Sequence, residues 1–171
     1  MSLPLEYPTE DEIRWLVAQG VSETAMLGPP PIRAAKVVFL DKQTFDFDAA
    51  GARVLLLTEE HDLIAWKPDG RTLASWRGVA FALGEDAIGN PASYFMGDAL
   101  WVHRDPLAWL KADREGIVIV QPRFTYAYLR HTPRLAFSSA THARQVQAWL
   151  QPPKPKVKFL IKTPEERAAA A

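Results

Sequence analysis

The stretch LWVHRDPLAWLKADREGIVIVQPRFTYAYLRHTPRLAFSSATHARQVQAWL, residues 100–150, decides the fold class. It opens with a strand, Leu100–Val102. Asp105-Pro106 then supplies a helix N-cap and a proline at the first helical position, where a fixed φ and a missing N–H cost nothing. Leu107, Leu110 and Lys111 carry that helix on to Asp113–Gly116. Ile117–Val120 is an unbroken apolar run, the pattern of a strand covered on both faces. A second helix reads from Arg123 to Arg130, with Phe124, Ala127 and Tyr128 along one side. Leu135–Phe137 is a third strand, and Thr141 is placed to cap a last helix carrying Ala143, Val146, Trp149 and Leu150. Successive strands are separated by about a dozen residues, which suits a right-handed crossover and is too long for a hairpin. The reading is a βαβαβα unit with parallel strands.

Upstream the period changes. Lys36–Leu40 and Thr44–Asp48 are short and β-like, joined by the polar turn at Asp41-Lys42. Arg53–Thr58 and Leu63–Lys67 are strongly apolar and flank Glu59-Glu60-His61-Asp62; Pro68-Asp69-Gly70 then turns the chain into Thr72–Arg77. Short strands joined by tight polar turns predict an antiparallel β-meander. Val79–Leu83 reads as a short helix ending near Gly84, and Gly89–Ser93 as a loop. At the N-terminus, Thr9-x-x-Glu12 is a capping box followed by Ile13, Leu16 and Val17 at helical spacing, with Gly20 as terminator. Ser22–Leu27 is a second short helical turn, stopped by Gly28-Pro29-Pro30-Pro31. The Ala18–Ser22 corner has the outline of a helix-turn-helix, but its second helix is too short to fill a major groove. A packed helical cap is the better reading.

The predicted class is therefore α/β (α+β mixed), in a single domain over residues 1–151: a helical cap (1–33), the meander (34–84) and the βαβαβα unit (99–151). A Pro/Lys-rich tail follows at 152–171; residues 152–162 hold four lysines and no acid. The tail reads either as a solvated segment or as an arm, Lys156–Lys162, that pairs with a protein partner's sheet edge.

Composition narrows the class of function. Apolar residues make up 48% of the 171 and charged residues 23%, so the chain is globular rather than disordered. Twenty basic residues balance twenty acidic ones, which argues against nucleic-acid binding through overall charge. There is no cysteine, hence no disulfide, thiolate metal site or cysteine nucleophile. MSLPLEYPTEDE has neither a basic n-region nor an apolar h-region, and no apolar run approaches the roughly eighteen residues of a membrane span. A cytoplasmic location and no membrane partner are expected.

In open α/β sheets ligands bind beyond the carboxyl ends of the parallel strands. That rule selects His103, Arg104 and Asp105 after the first strand, Gln121 and Arg123 after the second, and Ser138, Ser139 and Thr141 after the third. Arginine, histidine and hydroxyls, with one carboxylate committed as a cap, suit an anion such as a phosphate-bearing ligand or nucleic acid. The alternative is an ordinary solvated rim. Asp46 and Asp48, one period-2 step apart on a strand, are weak candidates for Mg²⁺ or Ca²⁺, or simply its solvent face. Glu59-Glu60-His61-Asp62 falls where a hairpin needs a polar turn. The four histidines lack HxH or HExxH spacing, and there is no GxSxG elbow, P-loop or GxGxxG. No cofactor is implied. The six tryptophans mostly sit at positions that the strand and helix periods turn inward, and core packing accounts for them better than a stacking platform.

The layout of residues 100–150 resembles a Toprim domain, the metal-dependent α/β module of primases, topoisomerases and related phage- or plasmid-borne proteins. Toprim domains open with a strand ending in Glu-Gly, where this chain has His103-Arg104 after Leu100-Trp-Val102. They later carry Asp-x-Asp, where this chain has Ser138 and Ala140 within Leu135-Ala-Phe-Ser-Ser-Ala-Thr-His-Ala-Arg144. The upstream Asp62-Leu-Ile-Ala-Trp66 and Trp76-Arg-Gly78 also resemble the region preceding the α/β unit in such proteins. The resemblance implies a copy without metal-binding acids, a binding or accessory module in mobile-element or nucleic-acid metabolism. Two alternatives stay open: a phosphoryl-transfer or hydrolytic enzyme whose acids (Asp46, Asp48, Glu60) come from the meander, and a structural interaction subunit.

Overall fold

The computed structural model describes residues 3–68 and 72–152. Helix α1 (Glu10–Ala18) starts at the expected capping box: Thr9 Oγ1 accepts from the Glu12 N–H and the Glu12 carboxylate accepts from the Thr9 N–H. Helix α2 (Glu23–Leu27) is capped by Ser22 and spans five residues. With Leu16, Val21 and Ala25 buried, the two helices pack as a cap on the domain.

Five strands follow: β1 (Arg33–Phe39), β2 (Phe45–Phe47), β3 (Ala52–Glu59), β4 (Asp62–Trp66) and β5 (Leu73–Ser75). All pair antiparallel, in the order β2-β1-β3-β4-β5. The sheet curls until its two edges meet. Thr44 bridges to Ser75, and the Ser75 N–H donates to the Gln43 carbonyl at 2.8 Å. Ala35, Ala65 and Ala74 keep the concave side small enough for Phe45 and Leu56 to fill, while Trp76 packs edge-on against Phe47. The convex side (Leu55, Leu57, Ile64, Trp66) is buried as well. This is why β3 and β4 read as unbroken apolar runs instead of alternating. The turn at Pro68-Asp69-Gly70 extends outside the described residues, and the Lys156–Lys162 arm lies wholly outside them.

The second sheet contains β6 (Ala82–Leu83), β7 (Leu100–His103), β8 (Ile117–Ile119) and β9 (Leu135–Ala136), in the order β6-β8-β7-β9. β7 runs parallel to both β8 and β9, and β6 is antiparallel to β8. Helix α3 (Asp86–Gly89) precedes β7; α4 (Pro106–Lys111), α5 (Thr125–Leu129) and α6 (Ala140–Trp149) follow β7, β8 and β9 in turn. The mixed α/β class and the parallel βαβαβα unit are thus as the sequence predicts. Among the described residues, no helix is long and apolar enough to cross a membrane.

Three local expectations need correction. Residues 79–83 end in a strand, not a helix: the Phe81 carbonyl accepts from the Val120 and Gln121 N–H groups, so sheet pairing overrides the local pattern. Gly89–Ser93 is not plain loop, because α3 runs into a 3-10 segment, Pro91–Gly97, capped by Asn90. The cap of α6 is Ser139, whose hydroxyl accepts from the His142 N–H at 3.2 Å; Thr141 lies inside the helix.

One core joins the two sheets and the helical cap, with Trp109 and Leu110 of α4 and Val118 of β8 meeting Leu55 and Ile64 of the curled sheet. The chain crosses between the sheets through residues 76–81, and a buried carboxylate holds that crossing. Asp62 is 4% exposed. Its oxygens accept from the backbone N–H groups of Leu63 (2.9 Å), Arg77 (2.8 Å), Val79 (3.0 Å) and Ala80 (3.1 Å). Across the turn from it, Glu59 accepts from the N–H groups of Gly84 (2.9 Å) and Glu85 (3.3 Å). Both flanks of the β3–β4 turn thus grip the start of the second sheet. We predict that Asp62→Ala destabilises the protein by about 3 kcal/mol or more, since it strands several buried donors. Asp62→Asn, which keeps an acceptor, costs less; urea unfolding midpoints measure both.

Candidate functional site

β7 lies between β8 and β9, so the chain leaves β7 to one side through α4 and returns past it to reach β9. The strand order reverses at β7. At such a point the loops and helices diverge beyond the strand ends and leave a crevice. A cleft of about 520 Å³ opens there. The β7–α4 connection contributes His103, Arg104, Asp105, Pro106 and Leu107; α6 contributes His142, Gln145 and Trp149. Ile119 ends β8, and the curled sheet adds Trp66, Pro68 and Leu73.

The polar wall can be read atom by atom. His103 Nε2 is 2.9 Å from the Glu115 carbonyl, which only accepts, so Nε2 carries a proton and Nδ1 is the other nitrogen left for a ligand. Asp105 is spent as the α4 cap, its carboxylate accepting from the Ala108 N–H at 2.9 Å. Arg104 is exposed. His142 is 7% exposed, and its buried Nδ1 has no partner. Burial lowers the pKa of this imidazole, and the nearby Arg104 and His103 lower it further against an opposing pull from Asp105. The ring is held neutral. The rest of the lining is apolar, with Trp66, Leu73, Leu107 and Trp149 among it.

Of the rim residues selected from sequence, the structure brings His103 and Arg104 into this cleft with Asp105 between them and the α4 helix. The others lie elsewhere. Gln121 is fully buried and donates to Ser75 Oγ at 3.0 Å, tying the second sheet to the closing strand of the first. The Arg123 guanidinium lies 4.6 Å from the centre of the Phe124 ring. Ser138 and Thr141 are exposed outside the cleft lining, and Ser139 is the α6 cap. Asp46 and Asp48 are exposed and satisfy nearby backbone, Asp46 accepting from the Phe47 N–H and Asp48 from the Ala50 N–H, each at 2.8 Å. Neither they nor Glu60 line the cleft. Among the described residues, no group of three or more His, Asp or Glu is placed to hold a metal ion. His142, Gln145 and Trp149 went unselected, though their i, i+3, i+7 spacing puts them on one helical face. Trp66 and Leu73 carry no local signal of a ligand wall.

Glu60 and His61 instead border a separate cleft of about 410 Å³, with Glu59, Glu85, Asp86, Arg77 and Tyr128. Glu59 is its notable group. Burial raises its pKa to about 7, the Gly84 and Glu85 N–H groups pull it down in part, and the Glu85 and Asp86 charges add to the rise. Comparison with protein families, with characterised proteins and with solved structures finds no match to the chain.

The raised Glu59 pKa sets a pH dependence. The fold keeps this proton up to about pH 7, whereas the unfolded chain releases it near 4.5. The Glu59 contribution is therefore fully present below pH 4.5 and lost as pH rises through about 7. His142 slopes the other way, because its lowered pKa makes the fold resist protonation as pH falls. We predict that Glu59→Gln removes the loss of stability between pH 5 and pH 8, read as the difference from the wild-type urea midpoint at each pH.

Proposed function

We propose that the protein is a cytoplasmic, non-catalytic binding module for a small anionic ligand, and that the cleft at the carboxyl end of β7 is its site. One observation carries the reading. At the point where α/β topology places ligand crevices, the lining offers the Arg104 guanidinium beside two imidazoles, and its one carboxylate among the described residues is engaged as a helix cap. Donors without competing acids suit a phosphate or carboxylate group. The same inventory speaks for binding rather than turnover: among the described residues, the lining holds no hydroxyl nucleophile and no pair of carboxylates. The Toprim-like layout belongs with this reading, as a copy in which His103, Ser138 and Ala140 stand where metal-binding acids would be. An accessory role in mobile-element or nucleic-acid metabolism follows from that layout.

The test is calorimetric titration with inorganic phosphate and with sulfate. Saturable binding is expected, weakened about tenfold or more by Arg104→Ala, the loss of one charge-assisted contact. Arg123→Ala, outside the cleft, leaves affinity unchanged. Absence of saturable binding of either anion, or equal losses in Arg104→Ala and Arg123→Ala, overturns the assignment.

A further inference from the structure

We propose that the ligand is a nucleoside 5′-phosphate, held with its phosphate at Arg104 and its base against the Trp149 side of the same cleft; the proposal rests on the anion-binding reading above. The cleft is larger and less uniform than a bare anion needs. Its volume of about 520 Å³ falls in the ~300–1,000 Å³ range of sites that enclose ligands of drug size. Its chemistry is graded. The fixed positive charge lies on the β7–α4 connection, at Arg104. Along α6 come His142, a ring kept neutral by burial, and Gln145, which offers one acceptor and two donors. Neutral donors and acceptors of this kind read ring heteroatoms and sugar hydroxyls; they add little for a compact anion.

The remaining wall is aromatic and apolar. Trp149 is half-buried on the face of α6 that carries His142 and Gln145, and Trp66 and Leu73 reach the cleft from the curled sheet. An inorganic anion gains nothing from an indole, whereas a flat heterocycle stacks on one for ~1–3 kcal/mol per base. A charged end, a neutral hydrogen-bonding middle and an indole wall match the order phosphate, ribose, base.

The experiment compares uridine and adenosine 5′-monophosphate, ribose 5-phosphate, inorganic phosphate and a 5′-phosphorylated tetranucleotide on the full-length protein, by calorimetry and tryptophan fluorescence. Nucleotides are expected to bind about tenfold or more tighter than ribose 5-phosphate, the gain from one stacked base. Trp149→Ala is expected to remove that gain and leave phosphate affinity unchanged. Because Trp149 also packs in the core, exposed Gln145→Ala serves as a second variant and is expected to cut nucleotide affinity while sparing phosphate. Competition by the tetranucleotide assigns the source of the nucleotide to a strand end; its failure to compete assigns it to free mononucleotide. Equal affinity for nucleotide and ribose 5-phosphate overturns this proposal and leaves the anion site standing. Absence of binding by every compound, inorganic phosphate included, overturns both.

Discussion

A carboxylate pair at one hairpin, Glu59 and Asp62, holds the two sheets of this protein in register. The two residues face each other across the β3–β4 turn, yet each points its oxygens at the chain that leaves the curled sheet. Burying a charge is costly unless hydrogen bonds replace its water. Asp62 meets that condition with four backbone N–H groups, three of which, on Arg77, Val79 and Ala80, lie in the crossing segment. The constraint works both ways. It fixes where β6 starts, and β6 then pairs with β8 and sets the level of the parallel strands.

The cleft depends on that level. Two of its walls belong to the βαβαβα unit, but Trp66, Pro68 and Leu73 belong to the curled sheet, at the ends of β4 and β5 farthest from the Glu59–Asp62 turn. One core extends between the layers, through Trp109, Leu110 and Val118 on one side and Leu55 and Ile64 on the other. Each such side chain contributes ~1.5–3 kcal/mol on burial. The apolar core thus supplies the adhesion, and the carboxylates supply the alignment. Gln121 adds a polar tie at the same junction, bonded to Ser75 where the first sheet closes.

The electrostatic character of the cleft follows from which acids are occupied. Asp105 caps α4, Asp62 and Glu59 face the interlayer crossing, and Asp46 and Asp48 answer their own backbone. Among the described lining residues the one acid is Asp105, whose hydrogen bond goes to the start of α4. In a chain of zero formal net charge, a local excess of donors arises here from the placement of acids, not from an excess of basic residues.

How much of this was legible in the chain itself varies with the range of the interaction. The capping box at Thr9, the cap at Asp105, the parallel strands and the antiparallel strands could all be read directly, because caps and periodicity act within a few residues. His103 and Arg104 were legible as residues of the cleft lining for a related reason: a strand end is a local feature, and topology gives it meaning. Val79–Leu83 misled, since a short apolar run has no period and β6 exists through its pairing with β8. Glu59 and Asp62 looked like ordinary turn residues, and Gln121 looked like a rim residue. Their partners lie far along the chain, beyond any local pattern. The sequence by itself determined the elements, their class and the charged end of the candidate site. Only the tertiary structure decided that α6 and the edge of the curled sheet complete the cleft, because that choice rests on long-range packing of one layer against another.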